Sequence, residues 1–261
     1  MNAVAFRFCH RPSRLSRWVL LTVWLLCFQL VIPTLRAEPK QVRVFIALCD
    51  NKTQGIVPVG AKIGNGDDAD SNLYWGCSDG FGSWFRSAHR WTVVKSEKEV
   101  SQDVLRRLQM RHESGEVELV SEAYRGSALR ACLAAFEQCA AAGACDLAAF
   151  IGHNGLMDFK LQPPQPVAAN HTEVIVLCCL SERYFGNRLR ALGCRPRLMT
   201  QQLMYPGAFL LDAALESWRK GEDPERIRQA AARAYAKNQG ISVRAAAGVF
   251  APLTASGAPT P

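Results

Sequence analysis

Residues 146–155 read DLAAFIGHNG, and residues 173–181 read EVIVLCCLS. In each stretch an unbroken apolar run leads directly into reactive side chains. Apolar runs bounded by turn residues are typical of strands buried on both faces of a parallel sheet. Ligands bind at the carboxyl ends of strands in open α/β sheets. The two stretches therefore predict that His153 and a cysteine meet at one edge of a sheet.

The rest of the chain alternates predicted strands and helices. Such alternation predicts an α/β fold, a three-layer sandwich with a mainly parallel sheet. The polar excursion at 52–72 is too long for a plain connection and is typical of functional or disordered loops. The other predicted strands are 42–48, 91–95, 116–120 (at an edge) and 197–201, and the predicted helices are 73–86, 101–112, 127–142, 182–192, 207–220 and 224–238.

The first 37 residues differ in composition from the rest of the chain. Four arginines, at positions 7, 11, 14 and 17, precede an apolar run at 18–32, and the segment ends in Ala37. This order is typical of a secretory signal peptide cleaved after Ala37. The run is short for a membrane span, and an uncleaved anchor stays open as the alternative. We expect a periplasmic or secreted protein without stable membrane association after cleavage, with a domain at 38–244 and a flexible tail at 245–261.

The net charge and the cysteine content exclude several classes of function. The formal net charge is +8, and loss of residues 1–37 removes five arginines and no acids, which leaves +3. Nucleic-acid binding is therefore not expected. Eight of the ten cysteines remain and no CxxC pair occurs, so neither a zinc ribbon nor a thioredoxin-type site is predicted. We expect no metal and no cofactor.

The two motifs resemble those of the caspase-like (clan CD) cysteine peptidases, which include gingipains, legumains, clostripain and the CHAT domains. In that family one strand ends in His-Gly, and the next ends in a small residue and Cys, commonly followed by x-Ser or x-Thr. Residues 150–155 match the first block and residues 176–181 match the second. Aligning on Ser181 selects Cys179 as the nucleophile, with Cys178 as the alternate.

The resemblance implies a cysteine hydrolase, and specifically an endopeptidase that acts on a peptide or protein substrate through a thioester. His153 would protonate the leaving amine, and the N–H groups of Cys179 and Gly155 would bind the oxyanion. Two features depart from the family pattern. Asn154 separates His153 from Gly155, and only 26 residues separate His153 from Cys179.

Two acidic residues are candidates for substrate binding. Asp50 follows the first predicted strand and Asp158 follows the His153 strand, so both would lie near the same sheet edge. Either carboxylate could receive a basic side chain of the substrate. A turn or capping role is the alternative for Asp158.

Two further interpretations of the motifs stay open. The first is a non-catalytic module of the same fold that binds a peptide, glycan or protein partner at this edge, with the aromatic segment 74–91 as core or contact. The second is a disulfide between Cys178 and Cys179, which would require strained geometry.

The catalytic interpretation makes two geometric predictions. A sulfur of Cys179 or Cys178 should lie within about 4 to 7 Å of the His153 ring. Because side chains alternate across a strand, one cysteine should be packed beneath a helix while the other reaches the open edge. Cys179 is closer to the following helix N-terminus, which favours a thiolate, so we expect it to be the more reactive.

Overall fold

The computed structural model describes residues 38–167 and 170–259. The predicted signal peptide therefore lies outside the described residues. None of the helices in the described part of the chain is long and apolar enough to cross a membrane. Seven strands form one sheet: β1 (Lys40–Ala47), β2 (Trp91–Lys98), β3 (Val104–His112), β4 (Val117–Tyr124), β5 (Leu147–Ile151), β6 (Glu173–Leu177) and β7 (Arg195–Leu198).

The strand order is β2-β3-β4-β1-β5-β6-β7, and most of the sheet is parallel. β1 pairs in parallel with β4 and β5, and β6 pairs in parallel with β5 and β7. Only β3 runs against its two neighbours. Strands β4, β1, β5, β6 and β7 consequently end at one edge of the sheet, which we call the carboxyl edge.

Helices cover both faces of this sheet, and each face has its own apolar core. One core includes Phe81, Phe85 and Trp218, and the other includes Phe136 and Phe185. The predicted α/β three-layer sandwich is confirmed. The first face carries α1 (Phe81–Ser87), α4 (Ala208–Arg219), α5 (Pro224–Gln239) and α6 (Val243–Ala247), and the second carries α2 (Leu129–Ala141) and α3 (Ser181–Ala191).

The helix predicted at 101–112 is wrong, because this segment is the interior strand β3. The segment is rich in residues with high helix propensity, yet Leu108, Met110 and His112 alternate inward as a strand requires. Leu105 is an extra residue in the pairing with β4, and this bulge interrupts the alternation near the start of the strand. The strand predicted at 116–120 is present as the first part of β4, but its placement at an edge is wrong, because β4 lies between β3 and β1.

The aromatic segment is mainly core. The predicted helix at 73–86 is reduced to α1, and the residues before it form turns. Phe81 stacks on Phe85 with ring centroids 4.2 Å apart, and Trp75 stacks on Phe81 at 5.7 Å. Burial of these rings beneath the first face leaves only Trp84 half-exposed at the surface.

The long excursion after β1 is folded back onto the carboxyl edge. Asn72, wholly buried, accepts hydrogen bonds from the N–H groups of Cys49 and Tyr74 through Oδ1. Its Nδ2 donates to the carbonyl oxygens of Cys49 and Asn65. One amide therefore fastens the C-terminal end of this loop to Cys49, just after β1.

Residues 245–259, predicted as part of a flexible tail, pack against the domain. The predicted start of the tail lies inside α6. Phe250 is wholly buried and forms an antiparallel bridge with Thr200. The Ala251 N–H donates to the Met199 carbonyl oxygen at 2.9 Å. The buried apolar residues of this segment explain the packing.

Candidate functional site

The two sequence motifs lie side by side at the carboxyl edge. In the β5–β6 ladder Ile151 pairs with Leu177, and every paired position differs by 26 residues. The same offset separates His153 from Cys179, and each follows its strand by two residues. The 26-residue spacing between His153 and Cys179 therefore equals the register offset of β5 and β6. It places the two residues at the same level, just beyond the ends of two adjacent parallel strands.

His153 is held by a carboxylate from the loop that follows it. Its Nε2 lies 2.8 Å from Asp158 Oδ2, and the imidazole is largely buried. The same carboxylate oxygen accepts a hydrogen bond from the Gly55 N–H at 2.9 Å. A short 3-10 helix at Gly155–Met157 turns the chain so that Asp158 returns to His153. Asp158 is thus joined through Oδ2 to the candidate base and to the loop after β1, and its predicted role in substrate binding stays a prediction.

Asn154, which interrupts the expected His-Gly pair, ties the two motifs together. Its side chain is wholly buried. Its Nδ2 donates to the Cys179 carbonyl oxygen at 2.6 Å, and its Oδ1 accepts from the Leu156 N–H at 3.1 Å. The inserted residue therefore fixes the turn after β5 against the turn after β6.

Cys179 occupies the sharp turn between β6 and α3. Its sulfur lies 3.4 Å from the Met204 nitrogen, which donates to it, and 3.5 Å from the Met204 carbonyl oxygen, which can accept the thiol proton. The next residue, Leu180, has a φ of 54°, a left-handed conformation unusual for a residue with a branched side chain. Observed backbone strain of this kind clusters at functional sites. The side chains of His153 and Cys179, both within the described part of the chain, make no hydrogen bond to each other.

Cys178 points into the core on the second face, where it is wholly buried with Phe150 and Phe185. Burial raises the pKa of its thiol well above the ordinary value, and the neighbouring Cys179 adds to the effect. Cys179 is half-buried at the edge. As predicted, one cysteine is packed in the core and the other lies at the carboxyl edge. The two side chains therefore point in different directions.

The buried hydroxyl groups of Thr200 and Ser181 stabilise the turn between β6 and α3. The Thr200 hydroxyl donates to the Cys178 carbonyl oxygen, and its oxygen accepts the Ser181 N–H at 3.0 Å. In return the Ser181 hydroxyl oxygen accepts the Thr200 N–H at 2.8 Å and donates to the Val176 carbonyl oxygen at 2.9 Å. The serine that trails the cysteine motif is therefore a structural residue of the turn.

Within the described part of the chain, the two N–H groups expected to bind an oxyanion have no protein acceptor. Among the described residues, neither the Cys179 N–H nor the Gly155 N–H donates a hydrogen bond. Gly155 is packed so closely that an added Cβ would lie 2.8 Å from side-chain atoms of Leu129 and Phe159. A larger residue at this position would therefore force the Leu129 or Phe159 side chain to shift.

Asp50, the other acidic candidate, is used inside the loop after β1. It is buried, its Oδ1 accepts the Lys52 N–H at 3.1 Å, and its Oδ2 accepts the Thr53 hydroxyl at 2.5 Å. An added Cβ on either Gly66 or Gly126 would clash with the Asp50 side chain. A carboxylate enclosed in this way has little capacity left for a substrate side chain.

Tyr74 is buried near both Cys49 and Cys179. Burial raises the pKa of Tyr74 far above its ordinary value, and nearby Cys49 and Cys179 raise it further. Burial, assisted by Asp50, raises the pKa of Cys49 to about 11. Tyr74 and Cys49 therefore both stay protonated and neutral at neutral pH.

No protein-family model matches the chain, and no curated protein or solved structure is significantly similar to it. The resemblance to caspase-like peptidases accordingly rests on the two motifs alone. Within the described residues, no group of three His, Cys, Asp or Glu side chains is arranged to bind a metal ion.

Three contributors to the site were not predicted from the sequence. Thr200 and the Met204 backbone reach the site from segments distant in the sequence, which no local pattern indicates, and the third contributor is the pairing of Asp158 with His153. Asp158 alone carried a signal, as an acid five residues after the histidine in a turn-forming stretch.

Proposed function

We propose that this protein is a cysteine hydrolase, specifically an endopeptidase, that acts at the carboxyl edge through Cys179 and His153. Its substrate would be a peptide or protein, and its expected export would place it in the periplasm or outside the cell. The observation that carries the proposal is the common register of His153 and Cys179 on adjacent parallel strands, with the imidazole bonded to Asp158.

The proposed chemistry assigns one role to each group. The Cys179 thiolate attacks the carbonyl carbon of the scissile bond, and His153 gives its proton to the leaving amine, which leaves a thioester. Water then attacks the thioester, gives a proton to His153, and the Cys179 thiolate departs. Asp158 acts as a positioning residue that holds the imidazole.

The two free N–H groups suit oxyanion binding. Donors aimed at the developing oxyanion contribute about 2.7 to 4 kcal/mol each in well-studied hydrolases. The Cys179 and Gly155 N–H groups belong to the turns that Asn154 joins, so the hydrogen bond from Asn154 would hold these two donors in a fixed relation.

The test is hydrolysis of a diverse fluorogenic peptide library by the full chain under reducing conditions. Cys179→Ala should abolish hydrolysis, and His153→Ala should lower kcat/KM by about 10²- to 10⁴-fold. The matched control is His171→Ala, which changes an exposed histidine and should retain activity. Hydrolysis that survives Cys179→Ala would overturn the assignment of the nucleophile.

A second candidate function is a non-catalytic binding module that uses the same edge. The observation that favours it is the position of the Cys179 sulfur between the N–H and carbonyl groups of Met204, where the thiol is already occupied. This candidate predicts no peptide hydrolysis by the folded protein. It also predicts peptide binding that is unchanged by Cys179→Ala, measured by calorimetry with library peptides.

A further inference from the structure

A second pair of thiols lies at the end of the sheet opposite the candidate site. The sulfurs of Cys139 and Cys145 are 3.5 Å apart. Cys139 is in the last turn of α2, and Cys145 lies just before β5. We propose that these two residues form an intramolecular disulfide by exchange with an external disulfide, either a small-molecule disulfide or that of a thiol oxidoreductase.

The backbone on both sides of the pair is fixed. The Cys145 carbonyl oxygen accepts the Thr172 hydroxyl at 3.1 Å, and the next N–H, of Asp146, donates to the Gln41 carbonyl oxygen at 2.9 Å. α2 ends at Ala141, and Gly143, two residues later, has a φ of +64°, a conformation suited to a helix stop. The turn thus holds the thiols in contact, and bonding the sulfurs requires them to approach by about 1.5 Å.

The two thiols differ in a way that assigns the order of reaction. Cys139 is half-exposed and lines an open cavity of about 330 Å³ together with Arg43, whereas Cys145 is buried. The hydrogen bond between the two thiols lowers the pKa of Cys139, and Arg43 contributes, while the same bond raises the pKa of Cys145. Cys139 is therefore the thiol that an external disulfide can reach and that attacks it.

The exchange proceeds in two balanced steps. The Cys139 thiolate attacks one sulfur of the external disulfide, and the other sulfur leaves as a thiolate that takes up a proton. Cys145 then attacks the Cys139 sulfur of this mixed disulfide, loses its proton, and expels the second thiolate. The protein loses two hydrogens, and the external disulfide is reduced to two thiols.

The bond would anchor β5, the strand that presents His153. Cys145 and His153 lie at opposite ends of this strand, separated by eight residues or about 26 Å of extended chain. The disulfide is thus too far away to take part in chemistry at the carboxyl edge. Its formation is independent of the proposed hydrolase function, because thiol content rather than activity reports it.

The test uses the native full chain equilibrated with excess oxidised glutathione and then alkylated in denaturant. Digestion with trypsin and a glutamate-specific protease isolates residues 138–160, whose only cysteines are Cys139 and Cys145. We expect this peptide to be unalkylated and two hydrogen masses lighter than its reduced form. Two alkylated thiols in the peptide, or its linkage to the peptide of nearby Cys194, would overturn the proposal.

Variants in which Cys139 or Cys145 alone is replaced test the order of the steps. Cys145→Ser should leave Cys139 as a stable mixed disulfide with glutathione. In Cys139→Ser, glutathione should modify Cys145 at least roughly tenfold more slowly than it modifies Cys139 in Cys145→Ser. Circular dichroism confirms that each variant is folded. Equal rates of modification of Cys139 in Cys145→Ser and of Cys145 in Cys139→Ser, both folded, would contradict the assignment of Cys139 as the attacking thiol.

Discussion

Asn154 Nδ2 donates a 2.6 Å hydrogen bond to the Cys179 carbonyl oxygen, and this bond joins the turn after β5 to the turn after β6. The candidate base and nucleophile both belong to these turns. Since Asn154 is wholly buried and its Oδ1 also accepts the Leu156 N–H, both ends of the amide are used. A residue that interrupts the family-like His-Gly pattern is thus the link between the two motifs.

Replacing Asn154 with alanine should destabilise the protein by about 1 to 3 kcal/mol, because the Cys179 carbonyl and the Leu156 N–H lose a buried partner. Urea unfolding followed by circular dichroism measures the change. Asn187→Ala is the matched control, because Asn187 is exposed on α3 and its loss should change the free energy of unfolding by less than about 0.5 kcal/mol. Equal effects of the two substitutions would show that the inter-turn bond contributes nothing.

Thr200→Val should also destabilise the protein by about 1 to 3 kcal/mol, although valine has nearly the same shape. The substitution removes the hydroxyl that donates to the Cys178 carbonyl and accepts the Ser181 N–H, and both partners are buried. Thr92→Val, on the exposed edge strand β2, is the control and should be close to neutral. A Thr200→Val protein as stable as the parent would mean that Ser181 alone supports the turn.

The sequence predicted the elements whose signal is local. β5 and β6 are continuous apolar runs, and their carboxyl ends lie where a parallel sheet requires. β3 was missed because the bulge at Leu105 disturbs its alternation and because its residues favour helix until β2 and β4 supply their pairing. The roles of Asp158 and Thr200 were missed for a different reason. Each depends on a contact that forms only when the chain folds back, on His153 for Asp158 and on the turn after β6 for Thr200.

The free energy of unfolding should decrease as the pH rises above 9. Burial raises the pKa of the Cys132 and Cys178 thiols well above 9.0, their ordinary value. A group whose pKa is raised by folding stabilises the protein fully below its unfolded pKa, and this contribution is lost as the pH rises beyond that value. Each thiol should cost up to about 1.4 kcal/mol per pH unit.

Urea unfolding under reducing conditions at about pH 7 and about pH 10 measures this dependence. Cys132→Ala is the informative variant, since it should be less stable at neutral pH and yet lose less stability on going to alkaline pH. Identical free energies of unfolding for the parent at the two pH values would contradict the burial of these thiols.

Iodoacetamide should modify Cys179 in preference to Cys178 in the reduced, folded protein. Cys178 is wholly buried beneath the second-face helices, whereas Cys179 is half-buried at the carboxyl edge. Fragment-ion mass spectrometry distinguishes the two adjacent positions. Modification of Cys179 should be slower in His153→Ala, because a neighbouring imidazole can take the thiol proton.

Asp158→Asn tests whether His153 has the proposed proton-accepting role or a merely structural one. The asparagine can still accept the Gly55 N–H but carries no charge to hold the imidazole, so labelling of Cys179 should slow and its pH profile should change. Asp67→Asn, which alters an exposed carboxylate paired with Arg125, should leave both unchanged. Preferential labelling of Cys178 would reverse the assignment of the nucleophile, and labelling of neither cysteine would favour the non-catalytic module.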